Sequence, residues 1–385
     1  MRAIVDAVII GAGILGAAIA YELSQRGVKV AVVERAMPNR QGSGTTAGNL
    51  HIQAIHTRRP GQDIAVDSGR LVPFQRAVSD LWDGVEARLG TSVGLTRCGG
   101  FTVAETDGDV TELEQKIHWE HAAGIPTEIL TGDQARAAMP LLGPTVRAAT
   151  WCPWDGHANA LLATPAYLKQ ARASGAEIRT QCTVRSIRKT QSGWDVDTDN
   201  GDFSAAAVVN AGGPWIEQLS RLAGYSINMS PLAIQMHETV RAPQMMESLV
   251  QHIGEGLSVK QVGTGNVVIG GGWPAGRLNL GGVSSTSEAS TAGNMAQVAR
   301  ILPDLARLRL SRVWAGPLAA TPDEMPVVGE VTGSGGFFIA GGTYAFTFSP
   351  LWALLIADLV TGTAPTHDIS DFTPDRLLPA EAVTS

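Results

Sequence analysis

Apolar residues in this chain fall into short runs punctuated by glycine, and the first run sets the pattern. Residues 6–10 read DAVII, a β-branched stretch suited to a buried parallel strand. Residues 14–27 read ILGAAIAYELSQRG, with apolar positions at helical spacing and Gly27 as a C-terminal stop. A second strand-like run, VKVAVVE at 28–34, follows directly. Strand, helix and strand in this order predict a βαβ unit with parallel strands. A membrane-spanning helix would need about 20 predominantly apolar residues, whereas Asp6 precedes this run and Glu22, Gln25 and Arg26 end it. A secretory leader would carry a basic start and a small-residue cleavage site. Neither an export signal nor a transmembrane segment is expected.

Between the strand and the helix stand Gly11, Gly13 and Gly16, spaced G-x-G-x-x-G. The first permits the tight turn, the second lets a pyrophosphate approach the backbone, and the third packs helix on strand. The helix N-terminus, starting at Ile14 and Leu15, then offers free N–H groups and a positive dipole end to the phosphates. Glu34, followed by Arg35, closes the second strand, where a carboxylate can hold ribose hydroxyls. The unit is a dinucleotide cradle, and the fingerprint by itself leaves NAD and FAD open.

The next segment favours FAD. GSGTTAGNL at 42–50 is rich in Gly, Ser and Thr, groups that can line a second stretch of an extended cofactor. Here the chain resembles, nearly end to end, the D-amino acid oxidase, glycine oxidase and sarcosine oxidase superfamily of FAD-dependent amine oxidoreductases. The resemblance implies that Ser43, Thr45 and Thr46 contact the pyrophosphate and ring system. It also implies that CTVRSIRK (182–189) brings Val184 to the adenine, and that AAVVNAGGPW (206–215) turns at Ala211 and Gly212. The C-terminal strand, turn and helix, GFFIAGGTYAFTFSPLWALLIADLVTG (336–362), matches the element that points a helix N-terminus at the flavin pyrimidine oxygens. Gly342, Phe346 and Thr347 lie there, with Tyr344 beside the flavin.

The implied fold class is α/β: a discontinuous Rossmann-like FAD-binding domain from residues 1–75, 150–220 and 315–385, with a substrate domain from 76–149 and 221–314. Period-2 runs such as SVKQVGTGNVVIGGGW (258–273) predict a mainly antiparallel sheet for the second domain. The active site is then expected between the domains, over the flavin.

Composition narrows the setting. The net charge of −7 supplies no basic field for nucleic acid, and HTRRP at 56–60 stands out as the sole basic cluster. Cys98, Cys152 and Cys182 are widely spaced, which argues against a disulfide framework or a metal site within the chain. A reducing, cytoplasmic setting fits best.

The resemblance also marks departures. Glycine- and sarcosine-oxidase-like members carry an arginine for the substrate carboxylate in a segment that here reads WAGPLAATPDEMPVVG (314–329), with Leu318 in its place; a second arginine, in the C-terminal turn, is replaced by Ala345. Gly316 occupies the position of a flavin-linking cysteine, and Ala47-Gly48 follow Ser43-Gly44-Thr45-Thr46 where another branch has a flavin-linking histidine. The cofactor is therefore expected to be non-covalent FAD. Tyr344, Phe346 and Phe348 resemble the C-terminal turn of the FAD-bearing β subunits of heteromeric opine, proline or hydroxyproline, and cyanide-forming glycine dehydrogenases. The expected reaction is hydride transfer from the carbon of a C–N bond to flavin N5, with hydrolysis of the imine. The substrate is a small amine or amino-acid derivative, opine-like first, and partner subunits take the electrons. A stand-alone oxidase using O2 and an electron-relay subunit are the alternatives. Candidate catalytic residues are Tyr344, His51 and Lys260; Arg241, Arg277 and Gln53 are further candidates for the missing anchor, and His237, Trp215 and Trp314 are read as packing residues.

Overall fold

The computed structural model of the chain describes residues 1–54 and 68–379; the HTRRP cluster lies outside them. The predicted βαβ unit forms the centre of the first of two large sheets. Strand β1 (Ala3–Ile10) pairs in parallel with β2 (Val30–Val33) on one side and with β12 (Phe203–Asn210) on the other. Strand β9 (Glu177–Arg179) extends the sheet beyond β2, and β11 (Gly193–Thr198) and β10 (Val184–Thr190) extend it beyond β12 by antiparallel pairing. Strand β19 (Phe337–Gly341) also lies parallel to β12, and β18 (Val327–Glu330) is antiparallel to β19.

This sheet is covered on both faces, as its unbroken apolar strands require. Ala7 and Ile9 of β1 join a core built with the helices Ile14–Gln25, Ala160–Ala173 and Ala345–Val360; Val8 and Ile10 point the other way, into a core with Trp194, Phe203 and Ile216. The helix Ile14–Gln25 packs against both of the other two, so burial reaches every position from Ile14 to Ser24.

The second large sheet has eight strands. Its order is β17 (Leu310–Ala320), β13 (Ser230–Thr239), β16 (Val267–Gly270), β15 (Ser258–Gln261), β14 (Leu249–His252), β5 (Gly100–Ala104), β7 (Ala148–Cys152) and β6 (Glu128–Thr131). Every neighbouring pair is antiparallel except β14 with β5, so the sheet is mainly antiparallel. The helix Glu288–Ile301 covers one face, where Val298 and Ile301 meet Val250, Val259 and Ile269. His237 is buried in β13, its Nε2 3.2 Å from Thr291 Oγ1 of that helix. Strand β17 runs as one piece across residue 315, beside β13 from Leu310 to Ala320.

A small third sheet joins the two halves: β3 (Asn49–Leu50) and β4 (Thr96–Arg97) flank β8 (Gly156–His157). It holds the chain where it leaves the glycine-rich loop and passes toward His51.

A cofactor cleft between the two sheets

A cavity of about 510 Å³ opens between the sheets, lined from the first by Ile10, Val33 and Val184 and from the second by Met236, Ser258 and Leu318. Its floor is the predicted cradle. Gly11 sits at φ +103, and a Cβ there would stand 2.6 Å from the Ala211 carbonyl oxygen. A Cβ on Gly16 would fall 2.0 Å from the carbonyl oxygen of Gly11, so Gly16 supports the turn from behind rather than lining the cavity. Gly13, Ile14 and Leu15 do line it. The first-turn N–H groups of a helix have no intrahelical acceptor; Ser43 Oγ takes that of Ile14 at 2.9 Å, and its own hydroxyl proton would be available to a phosphate bound there. The Glu34 carboxylate accepts the N–H groups of Ala12 and Ala36, both at 2.9 Å, which fixes the turn while the residue still faces the cavity. The Arg35 guanidinium stacks 3.7 Å above the Trp215 ring and donates to the Leu280 carbonyl, joining the two halves just past Glu34.

The remaining predicted cofactor residues converge on the same space. Thr45, Thr46, Val184, Ala211, Gly212 and Gly342 line it, as do Phe346 and Thr347. Thr45 is packed from below by Gly316, where any Cβ would stand 2.0 Å from Thr45 Oγ1, so no side chain has room at that point of the wall. Trp314 ties the same loop by donating to the Thr45 carbonyl at 2.8 Å. At the far end, the helix Ala345–Val360 begins at Tyr344, which sits at φ 60 and supplies no side-chain cap. Its first turn therefore opens onto the cavity with its dipole uncapped. Thr347 Oγ1 donates to the Asn49 carbonyl, and Trp82 stacks on Phe346 and donates to the Thr347 carbonyl, fixing this turn against β3. Two helix N-termini and a glycine turn that offer donors, with an acidic strand end as acceptor, thus face one elongated cleft, a set that fits FAD.

The candidate substrate residues are not brought together equally. His51 lines the cavity; burial, aided by the charge of Lys260, pulls its imidazole down to about 4, and its Nδ1 has no hydrogen-bond partner. Tyr344 lines it as well. Lys260 stands behind the wall, donating to the Ala47 carbonyl, because β15 turns this side chain toward the loop after the cradle. Gln53 is buried behind the wall in a polar cluster with Lys116, Thr150 and Asp155, and Arg241 and Arg277 are exposed. Leu318 and Ala345 both lie on the cavity wall. Sequence reasoning missed Gln251 and Ser258, opposite each other on β14 and β15 and both in the wall. Strands of four residues carry too short an alternation to show which side faces a cleft.

Cradle, uncapped C-terminal helix and two-sheet cleft define a flavin-dependent oxidoreductase. Residues 6–359 match the family model described as FAD dependent oxidoreductase, and the chain belongs to that family. It is similar to the glycine oxidase of Geobacillus kaustophilus (strain HTA426), with 29% identity over 379 residues covering 96% of this chain and 97% of the relative. It is also similar to one of the subunits of the opine oxidase of Rhizobium meliloti, with 25% identity over 378 residues and 97% of each chain covered. The crystal structure of the G. kaustophilus glycine oxidase superposes with a TM-score of 0.85 at 26% identity, covering 98% of this chain and 100% of that one. Among the described residues, no helix is long and apolar enough to cross a membrane.

Proposed function

We propose that the chain is the FAD-bearing catalytic subunit of a heteromeric dehydrogenase or oxidase. Its reaction is oxidation of the C–N bond of an amino-acid derivative, most simply an opine-like secondary amine, to an imine that water hydrolyses. Bound FAD supplies the hydride acceptor. The protein positions the amine, excludes competing reactions and sets the field around the cleft.

The observation that carries this reading is the pair Leu318 and Ala345. Both lie on the cavity wall at the places where the resemblance puts carboxylate-binding arginines. A guanidinium there would grip an α-carboxylate in bidentate fashion; an isobutyl and a methyl group cannot. A secondary amine with a second carboxylated branch offers its charge elsewhere, which suits a wall of this kind. His51 is the member of the anchor candidates on that wall, and its lowered pKa keeps it uncharged at neutral pH, with one N–H to donate and one nitrogen to accept. Tyr344, at the start of the C-terminal helix, is the second polar ring on that wall.

The similarity to an opine oxidase component supports the partner-dependent form. The similarity to a glycine oxidase supports the second reading, a stand-alone oxidase. Assaying the purified chain with its amine in air, with and without a dye acceptor, separates the two. The proposal predicts fast dye reduction and little hydrogen peroxide; peroxide formed in step with amine consumption, without dye or partner, contradicts it.

A further inference from the structure

Deep in the second half of the molecule, Lys116 and Glu120 form an ion pair at 2.8 Å with both side chains fully buried. This pair sets the direction of a hydrogen-bond relay that ends in the cavity. An ammonium can only donate, so the Gln53 atom 2.8 Å from Lys116 Nζ is the amide oxygen. The Gln53 nitrogen then meets two acceptors, the Gly100 carbonyl at 2.8 Å and the Asp155 carboxylate at 2.9 Å, consistent with the same orientation. Thr102 Oγ1 lies 3.2 Å from the Gln53 oxygen. An amide oxygen carries no proton, so in this contact, as in the 2.7 Å one from Thr150 Oγ1, the hydroxyl donates. The Thr102 lone pair is left to accept from the Gln251 side-chain nitrogen, 2.9 Å away. The other end of the Gln251 amide is therefore its oxygen. Gln251 is 5% exposed and lines the cavity, and its Oε1 receives no hydrogen bond from a described residue, nor is it among the atoms sealed off from open space.

We propose that Gln251 Oε1 accepts the N–H of the substrate amine, making Gln251 a specificity-determining residue that selects primary and secondary amines over tertiary ones. Thr102, Gln53 and Lys116 are positioning residues that hold the amide this way round. The inference rests on the amine-oxidising reading above and names its substrate class more closely. Hydride loss requires the neutral amine, whose lone pair stabilises the carbon that gives up hydride. A neutral secondary amine keeps one N–H besides that lone pair, and Gln251 takes the N–H. A neutral tertiary amine has none, and leaves a nearly buried carbonyl unpaired. A site built to pair a donor rejects analogues that lack it.

The test uses a ligand pair whose nitrogen lone pair belongs to the aromatic ring and cannot drive hydride loss from a neighbouring carbon: pyrrole and N-methylpyrrole. Titrating each into the FAD-loaded chain while following the visible flavin spectrum gives two dissociation constants. Wild type is expected to bind pyrrole about tenfold more tightly. Gln251→Met, which keeps length and removes the acceptor, brings the two within about twofold; Thr102→Val, which frees the amide to turn over, shrinks the preference in the same direction. Equal affinities in wild type, or a preference that Gln251→Met retains, overturns the assignment. Should Gln251→Met purify without flavin, Thr102→Val decides, and an undiminished preference in it is the contrary result. Because neither ligand is turned over, this outcome is independent of whether any amine reduces the flavin: a pyrrole preference that depends on Gln251, with no amine oxidised, overturns the functional reading and leaves the acceptor in place.

Discussion

Lys260 is 3% exposed and donates to a backbone carbonyl, with no carboxylate paired to it among the described residues. Burial pulls its ammonium down to about 7, whereas in the unfolded chain it titrates near 10.4. Between those two values the unfolded chain holds a proton that the folded one releases, so stability rises with pH from about 7 to about 10 and levels off outside that window. Lys260→Met removes the proton difference. Denaturant unfolding at pH 7, 8 and 9 should show a variant more stable than wild type at pH 7, by a few kcal/mol at most, with the gap closing as pH rises; parallel curves would contradict the account. Residues were legible in the sequence where a fixed spacing encodes a backbone requirement. Gly11, Gly13 and Gly16 announced a turn that side chains cannot enter, and Glu34 its acidic end. Lys260 was legible as a cation on a strand of the second sheet, but its direction was not, because a strand's facing is decided by distant partners. Gln251 gave no signal, since its role comes from Thr102 and Gln53, remote in sequence and joined to it through packing.

At the scale of elements, the short turn Gly42–Thr45 and strand β17 are fitted together through the absence of a side chain at Gly316. Gly316→Ala forces a methyl group to within 2.0 Å of Thr45 Oγ1 unless the turn shifts. Overpacking of this kind costs about 1–3 kcal/mol, and here the displaced turn carries Ser43, which holds the Ile14 N–H at the cradle. The variant should purify with several-fold less FAD and a lower Tm than wild type; unchanged flavin content would show that the turn does not depend on this contact. The same steric limit leaves no room for a linking cysteine, so acid precipitation of the wild type should release all of its yellow colour into the supernatant. The βαβ unit was readable as an element because it carries its own periodicity, and the C-terminal helix through the family resemblance. The pairing of β14 with β5 was not, since a parallel contact between strands so far apart leaves no mark in either.

For the molecule as a whole, the cavity exists because two sheets with separate cores face each other, joined by the three short strands around Gly156–His157. FAD that binds the folded state alone stabilises it by about 2.7 kcal/mol at a free concentration 100 times Kd. Stripped protein should therefore melt at a lower temperature than reloaded protein, with the difference growing as FAD is added. The two-sheet architecture was legible through the family resemblance, with the period-2 runs pointing to a mainly antiparallel second sheet. Which polar side chains share the cleft was not, because His51, Gln251 and Tyr344 come from three different parts of the chain and are neighbours through the fold alone. That arrangement gives the central claim its sharpest form: the cleft holds FAD next to a wall that lacks arginine at residues 318 and 345 and receives an amine. Anaerobic mixing of the FAD-loaded chain with a panel of opines, proline derivatives, sarcosine, glycine and D-amino acids, followed at the flavin absorbance band, tests it directly. Bleaching by the secondary amines with two carboxylated branches, and slow or absent bleaching by glycine, is the predicted result. Bleaching by glycine ahead of every secondary amine, or by none of the panel, would contradict the account.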